Sequence, residues 1–234
     1  VISDNTQVTC AKFGNVPLAT ICGAKFYDKD LDGLWDDEEP GIGGWTILLQ
    51  NNSIAWPTVW KTYASTTTAS NGYYQFTNVK PNPGMYRITE VKKSPEWVMT
   101  TNPATLMINL QKPLVPTSIP GKNIGNALLA RVEGVKFWDY KTQEKWPNGV
   151  QDPGEPGLCD WTITLQGWTI TGVRVDLSTT TSAGSVNPAI AVGYYNFSVL
   201  PGTYWVNETC LREWTPTTPI SNMIIVMAYP PSQV

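Results

Sequence analysis

Ile124-Gly125-Asn126, followed after seven residues by Gly134-Val135-Lys136-Phe137-Trp138-Asp139, decides how this chain is built. The same pattern stands near the start as Phe13-Gly14-Asn15 and then Gly23-Ala24-Lys25-Phe26-Tyr27-Asp28, without a gap. Asn15 and Asn126 differ by 111 positions, as do Gly23 and Gly134. In the middle of the chain the Ile-Gly-Asn strand closes one domain and the Val-Lys-Phe-Trp-Asp strand opens the next. The early copy precedes an opening strand but has no domain before it to close. Phe13-Gly14-Asn15 therefore reads as a spare closing strand.

Further matches extend the repeat. Glu39-Pro40-Gly41 and Trp45-Thr46-Ile47 recur 116 residues on as Glu155-Pro156-Gly157 and Trp161-Thr162-Ile163. Gly72-Tyr73-Tyr74-Gln75-Phe76 recurs as Gly193-Tyr194-Tyr195-Asn196-Phe197. Pro83-Gly84, Tyr86, Glu90 and Trp97 recur as Pro201-Gly202, Tyr204, Glu208 and Trp214. Between these marks run short alternating stretches rich in Thr, Val, Ile and Tyr, punctuated by Gly, Pro and Asn, with no amphipathic helix. The pattern predicts an all-β chain of two tandem immunoglobulin-like sandwiches, each of seven strands and roughly 110 residues. The expected divisions are a donor strand at 1–20, a first sandwich at 21–130 and a second at 131–234. The second repeat can be followed to 223–227, which matches 106–110, so this sandwich is expected to lack its last strand.

Composition fits an extracellular structural protein. With 234 residues, 11 Trp, 10 Tyr and 5 Phe there is ample core material. Histidine, the commonest general base, is absent, so an enzyme is not expected. Sixteen basic against 19 acidic residues give no field for nucleic acid, and no stretch reads as a membrane span. The start at Val1 fits removal of a secretion signal. Sequons at Asn51-Asn52-Ser53, Asn196-Phe197-Ser198 and Asn207-Glu208-Thr209 offer glycosylation at Asn51, Asn196 and Asn207. Four cysteines suit an oxidising compartment. Strand direction brings Cys159 and Cys210 to one pole of the second sandwich and predicts a disulfide there. Cys10 and Cys22 flank the spare strand, about 40 Å apart if it is extended, and no pairing is assigned to them.

The run Gly-x-Lys-Phe-x-Asp, Asp-Gly, Glu-Pro-Gly, Gly-Trp-Thr-Ile, Gly-x-Tyr-x-Phe, Pro-Gly-x-Tyr and Phe-Gly-Asn resembles the SdrD B-like and Cna B-type repeats of microbial surface proteins. The resemblance implies prealbumin-like β-sandwiches used in stalks and pilins, with calcium loops or internal isopeptide bonds. In Cna B-type domains a Lys, an Asn and a buried Glu form that bond. Carried over, the first domain would use Lys25, Asn126 and Glu90. The second has Lys136 and Glu208, and its matching Asn is Asn15 of a donated strand. Glu90 shares a strand face with Tyr86 and Ile88, and Glu208 with Tyr204 and Val206, so each carboxyl should be protonated or paired. A Lys–Glu ion pair with a capping Asn remains the alternative.

The run from Asp28 to Glu39 fits the pattern D-x-D-x-D-G-x5-E, which would hold Ca2+ through Asp28, Asp30, Asp32, Asp36 and Glu39 with the Leu34 carbonyl. The alternative is an acidic solvated turn. The second repeat keeps Asp139, Asn148, Gly149, Asp152 and Glu155, with five residues inserted between the first two, and makes a weaker site.

A donated strand cannot complete its own chain. Seven residues between Asn15 and Gly23 reach roughly 25 Å, whereas the long axis of a sandwich of this size is about 40 Å. The acceptor is then an identical subunit, and such a head-to-tail contact does not close. The expectation is an extracellular filament subunit, pilus or thread-like, on the cell surface. A monomeric adhesin stalk or a surface-layer or sheath module is the rival, in which 1–20 is a leader.

Overall fold

A computed structural model describes residues 12–52, 59–111, 113, 115–140, 146–186 and 189–227. The chain divides into two compact units, one of residues 1–25, 42–91 and 102–123, the other of 26–41, 92–101 and 124–234. The expected divisions at 20 and 130 follow the sequence repeats, whereas the compact units do not.

The first unit is built from alternation. Strand β2 (Thr46–Asn52) buries Ile47 and Leu49 and turns Thr46, Leu48 and Gln50 outward, the period-2 signature of a half-buried strand. It pairs antiparallel with β3 (Trp60–Thr67) on one side and β5 (Met85–Glu90) on the other. Strand β7 (Met107–Asn109) completes a sheet of order β3-β2-β5-β7. The other sheet centres on β1 (Ala19–Tyr27), which pairs antiparallel with β4 (Tyr73–Val79) and parallel with β8 (Thr117–Ile119). Gly23 is required here. A Cβ at this position would sit 2.1 Å from the Lys122 carbonyl oxygen.

Strand β1 thus has two partners, β4 and β8. Strand β6 is Trp97–Met99 and β9 is Ile124–Leu128; they pair antiparallel within the second unit. Ile124 through Ala127 are all buried, so β9 is covered on both faces. A one-turn 3-10 helix, Pro103–Leu106, is capped by the Asn102 side chain. Among the described residues the first repeat thus has nine strands where seven were expected, and β6 and β8 are three-residue pieces too short for a periodic signal.

The second repeat lies wholly in the second unit. Strand β10 (Ala130–Val135) pairs with β15 (Tyr194–Val199), and β11 (Thr162–Thr169) lies between β12 (Arg174–Thr180) and β16 (Gly202–Glu208). Strand β17 (Ser221–Val226) extends that sheet at β16, while β13 (Ser185–Val186) and β14 (Ala189–Ile190) form a small separate hairpin. Val132, Phe197 and Val199 from one sheet pack with Ile163, Leu165, Tyr204, Val206 and Val226 from the other in a single core. This is a sandwich. Among the described residues β10 has β15 as its sole strand neighbour.

Residues 12–18 carry no regular structure, and Phe13 is 91% exposed. Strand β1 starts at Ala19, so residues 19 and 20, assigned above to the donor strand, belong to the first sandwich. Cys10 lies outside the described residues.

Candidate functional site: two Lys–Glu pairs and an acidic loop

Lys25 sits on the core side of β1 and is fully buried, with its Nζ 3.2 Å from Glu90 Oε2 on β5. Register explains the meeting of Glu90 with the core. Ile47 pairs with Glu90 across β2 and β5, and Tyr86 and Ile88, four and two residues back on the same face, are buried. The Lys25 ammonium also stands 4.7 Å from the centre of the Trp45 ring. A buried cation held by a carboxylate and an indole face satisfies the rule that buried charge is paired. Lys25 and Glu90 stand as an ion pair, the contact named above as the alternative reading. Asn126, in the second unit, is fully buried on β9, and its carbonyl accepts the Asp28 N–H at 3.0 Å.

The second repeat copies this arrangement. Lys136 Nζ is 2.5 Å from Glu208 Oε2 and 4.7 Å from the Trp161 ring centre. The side chains of the first pair are 0% and 6% exposed, those of the second 18% and 10%. A small cavity opens beside the second pair, lined by Val135, Lys136, Tyr195, Val206, Glu208 and Ile220 among others. Asn15 is exposed in the segment without regular structure. The tryptophan under each lysine was not singled out by sequence, although the matched Trp-Thr-Ile motifs carried the signal.

Gly125 lies between Ile124 and Asn126 for a steric reason. A Cβ there would meet the Phe26 ring at 2.5 Å and Thr100 Oγ1 at 2.7 Å. Gly14, its counterpart in the early copy, has nothing within 4 Å.

The acidic loop is organised by its own backbone. Asp28 accepts N–H groups from Leu31 and Gly33, Asp30 from Asp32, and Asp32 from Leu34. Gly33 adopts φ +79°, a left-handed turn. Carboxylate oxygens of Asp28, Asp30 and Asp32 lie within 4.8 Å of one another. Burial pushes the Asp28 carboxyl above the usual range despite hydrogen bonds that oppose it. Crowded carboxylates of this kind suit a hard cation. Asp36 and Glu39 are outside that group. Glu39 instead accepts N–H groups from Lys29 and Asp36, tying the loop's two ends. Residues Asp28, Asp30 and Asp32 would hold Ca2+, which would supply the charge that three neighbouring carboxylates lack.

The matching loop repeats the frame. Asp139 accepts from Asn148 and Gly149, and Glu155 accepts from Tyr140 and Asp152. The inserted residues 141–145 lie outside the described residues.

Cys159 and Cys210 carry free thiols, so the expected disulfide is not formed in this structure. Strand direction does bring their flanks together, with Thr209 N–H donating to the Thr162 carbonyl and the Trp161 indole to the Thr209 carbonyl. Both cysteines are exposed, and the Cys159 thiol is held above its usual range by its hydrogen bond with Asp160. A shared pole does not supply the Cβ geometry a bridge requires. Cys22 is half-buried and also free. No helix among the described residues is long and apolar enough to cross a membrane.

Residues 19–107 match the family model of the SdrD B-like domain. The match covers less than half of the chain, and the second repeat carries the same motifs. Serine-aspartate repeat-containing protein F of Staphylococcus epidermidis is 27% identical over 194 residues, 81% of this chain and 10% of its own length. Among solved structures, the minor pilin GBS52 of Streptococcus agalactiae overlaps 90% of this chain and 91% of its own, with a TM-score of 0.37 and 11% identity. The shaft pilin SpaA of Lactobacillus rhamnosus GG overlaps 91% and 94%, with a TM-score of 0.34 and 12% identity.

Proposed function

We propose that this protein is an extracellular structural subunit of a cell-surface filament, joined head to tail to identical copies by strand donation, and that it is not an enzyme. The observation that carries the reading is the edge of β10. In the first sandwich the equivalent strand, β1, pairs with both β4 and β8; β10 has β15 alone among the described residues. An open edge is a template for a strand from another chain. Phe13-Gly14-Asn15 repeats the pattern of the β9 segment Ile124-Gly125-Asn126, is exposed, and carries glycine where that close approach requires it.

The paired lysines give the joint a covalent form. Lys136 Nζ, in its neutral form, attacks the Asn15 carboxamide carbon of the neighbouring subunit. A new amide bond forms, ammonia leaves, and Glu208 carries a proton from the attacking amine to the departing nitrogen. Lys25, Glu90 and Asn126 do the same within the first sandwich. Lys–Glu proximity at 3.2 and 2.5 Å supports the proton-transfer half of this scheme.

Removing residues 1–18 tests the filament directly. The truncated chain is expected to stay folded and monomeric, and a peptide spanning 9–20 should bind it and raise its melting temperature. Filaments formed by the truncated chain would overturn strand donation. A ladder of multimers that survives boiling in detergent, together with a cross-linked peptide pair containing Lys136 and Asn15 and one ammonia lighter than the sum, is expected for the covalent joint. Finding both residues only in unmodified peptides leaves the filament noncovalent.

A further inference from the structure

Strand parity sorts the three sequons. Asn51 shares the inward face of β2 with the buried Ile47 and Leu49, and its cross-strand partner on β5 is the buried Tyr86. Asn207 lies on the opposite kind of face. On β16 the inward residues are Tyr204 and Val206, which leaves Thr203, Trp205 and Asn207 pointing away from the core. Asn196 on β15 likewise alternates with the buried Phe197 and shares the outer face with Tyr194 and Ser198.

The outer face around Asn207 has an unusual lining. Trp205 and Trp168 meet edge to face with ring centres 5.9 Å apart, and Trp168 is 48% exposed. A shallow groove runs over them, edged by Gln166, Arg174, Asn207 and Ser221. Indole faces beside carboxamide, guanidinium and hydroxyl groups suit one class of ligand, a sugar ring, whose C–H face stacks on aromatics while its hydroxyls find polar partners. The sugar need not come from outside. Asn207 is itself a sequon asparagine, two residues along the same strand face from Trp205, a spacing of about 7 Å. The matched positions of the first repeat are Asn52 and Arg87 rather than Trp168 and Trp205, and there the Arg87 guanidinium covers the Trp60 ring at 4.3 Å. Asn196 shows the same spacing from an aromatic ring, with Tyr194 two residues before it.

We infer that Asn207 and Asn196, and not Asn51, carry asparagine-linked saccharides, and that the first sugar on Asn207 packs over Trp205 and Trp168. Attachment takes a lipid-diphosphate-linked sugar and a transferase. The asparagine Nδ2 forms a bond to the anomeric carbon, the bond from that carbon to the diphosphate oxygen breaks, and the diphosphate leaves with the electron pair. The amide proton passes to a base of the transferase. Asn51 and Asn207 are both half-buried, and it is parity that separates them, since a sugar on Asn51 would leave from the core face of its strand. The inference rests on the extracellular reading above but not on strand donation.

The test starts with protein recovered from the source cells. Peptide mass spectrometry of the surface fraction should find saccharide on Asn207 and Asn196 and a bare Asn51. Surface protein with a bare Asn207, or with sugar on Asn51, overturns the inference; recovery from the cell interior would instead overturn the extracellular reading. Packing is read from a cycle of melting temperatures. Trp205→Ala should lower the melting temperature of the glycosylated chain by about 3 °C more than it lowers that of the sequon-free Asn207→Gln chain. Equal shifts in the two backgrounds overturn packing. Should Trp205→Ala fail to fold, Trp168→Ala at the exposed partner ring replaces it, with the same two outcomes.

Discussion

Lys25 with Glu90 and Lys136 with Glu208 are one device in two settings. Each lysine stands on the opening strand of its sandwich, each faces a glutamate on the strand after Pro-Gly, and each lies 4.7 Å from a tryptophan ring centre. They differ in cover. The first pair is shut away at 0% and 6% exposure, the second stands open at 18% and 10% beside a lined cavity. Strand pairing accounts for it, since β1 has two partners, β4 and β8, and β10 has one among the described residues. On the proposed reading, a strand donated by a neighbouring subunit supplies the cover that the second site lacks among the described residues.

The sharpest way to break that comparison is steric. Gly125 admits no Cβ because the Phe26 ring would lie 2.5 Å away, while Gly14 stands in open space. If residues 13–15 seat beside β10 as 124–126 seat in β9, Gly14→Val should abolish filament growth, seen by electron microscopy, and leave the monomer's melting temperature within about 1 °C. Filaments of normal length from Gly14→Val would mean that the early copy does not repeat the seat of the later one.

Next in size is the loss of one partner from each pair. Glu90→Ala strands a buried ammonium, a change that costs about 3–5 kcal/mol. Glu208→Ala should cost the isolated subunit about 1–2 kcal/mol, because water reaches the Lys136 ammonium. Urea denaturation of the monomer measures both. Equal losses would show that the difference in exposure has no energetic meaning, and a Glu208 loss that grows in assembled filaments would tie the missing cover to the neighbouring subunit.

Much of this was legible because the repeats are spaced by strands. The motifs at Gly23, Trp45, Gly72 and Pro83 each mark one, and parity then placed Glu90 and Glu208 on core faces. What escaped was set by tertiary contact. Strands β6 and β8 are three residues each and exist because β9 and β1 are there to pair with them. Strand β9 is buried on both faces, so no alternation shows in it. The Cys159–Cys210 bridge was read from strand direction alone, and direction brings chain ends to one pole without aligning the thiols. The Trp205 and Asn207 face could have been read, since the inward Tyr204 and Val206 fix its parity.

The smallest effect separates the two acidic loops. Both are framed alike, Asp28 and Asp139 each accepting two backbone N–H groups and Glu39 and Glu155 each bracing a loop. Three carboxylates converge only in the first among the described residues, at Asp28, Asp30 and Asp32; the second has Asn148 where Asp32 stands. A cation bound by the folded state alone stabilises it by mass action, about 2.7 kcal/mol at a hundred times its dissociation constant. Millimolar calcium should therefore raise the melting temperature of the chain by several degrees over chelator, and Asp32→Asn, which gives the first loop the residue that the second has at that position, should remove most of that rise. The substitution keeps an acceptor for the Leu34 N–H, so the turn itself survives and the lost shift reports charge rather than unfolding. If Asp32→Asn retains the full calcium shift, the convergence of three carboxylates is not what binds the ion. If chelator and calcium give one melting curve for the unaltered chain, the loop is a turn held by its own backbone.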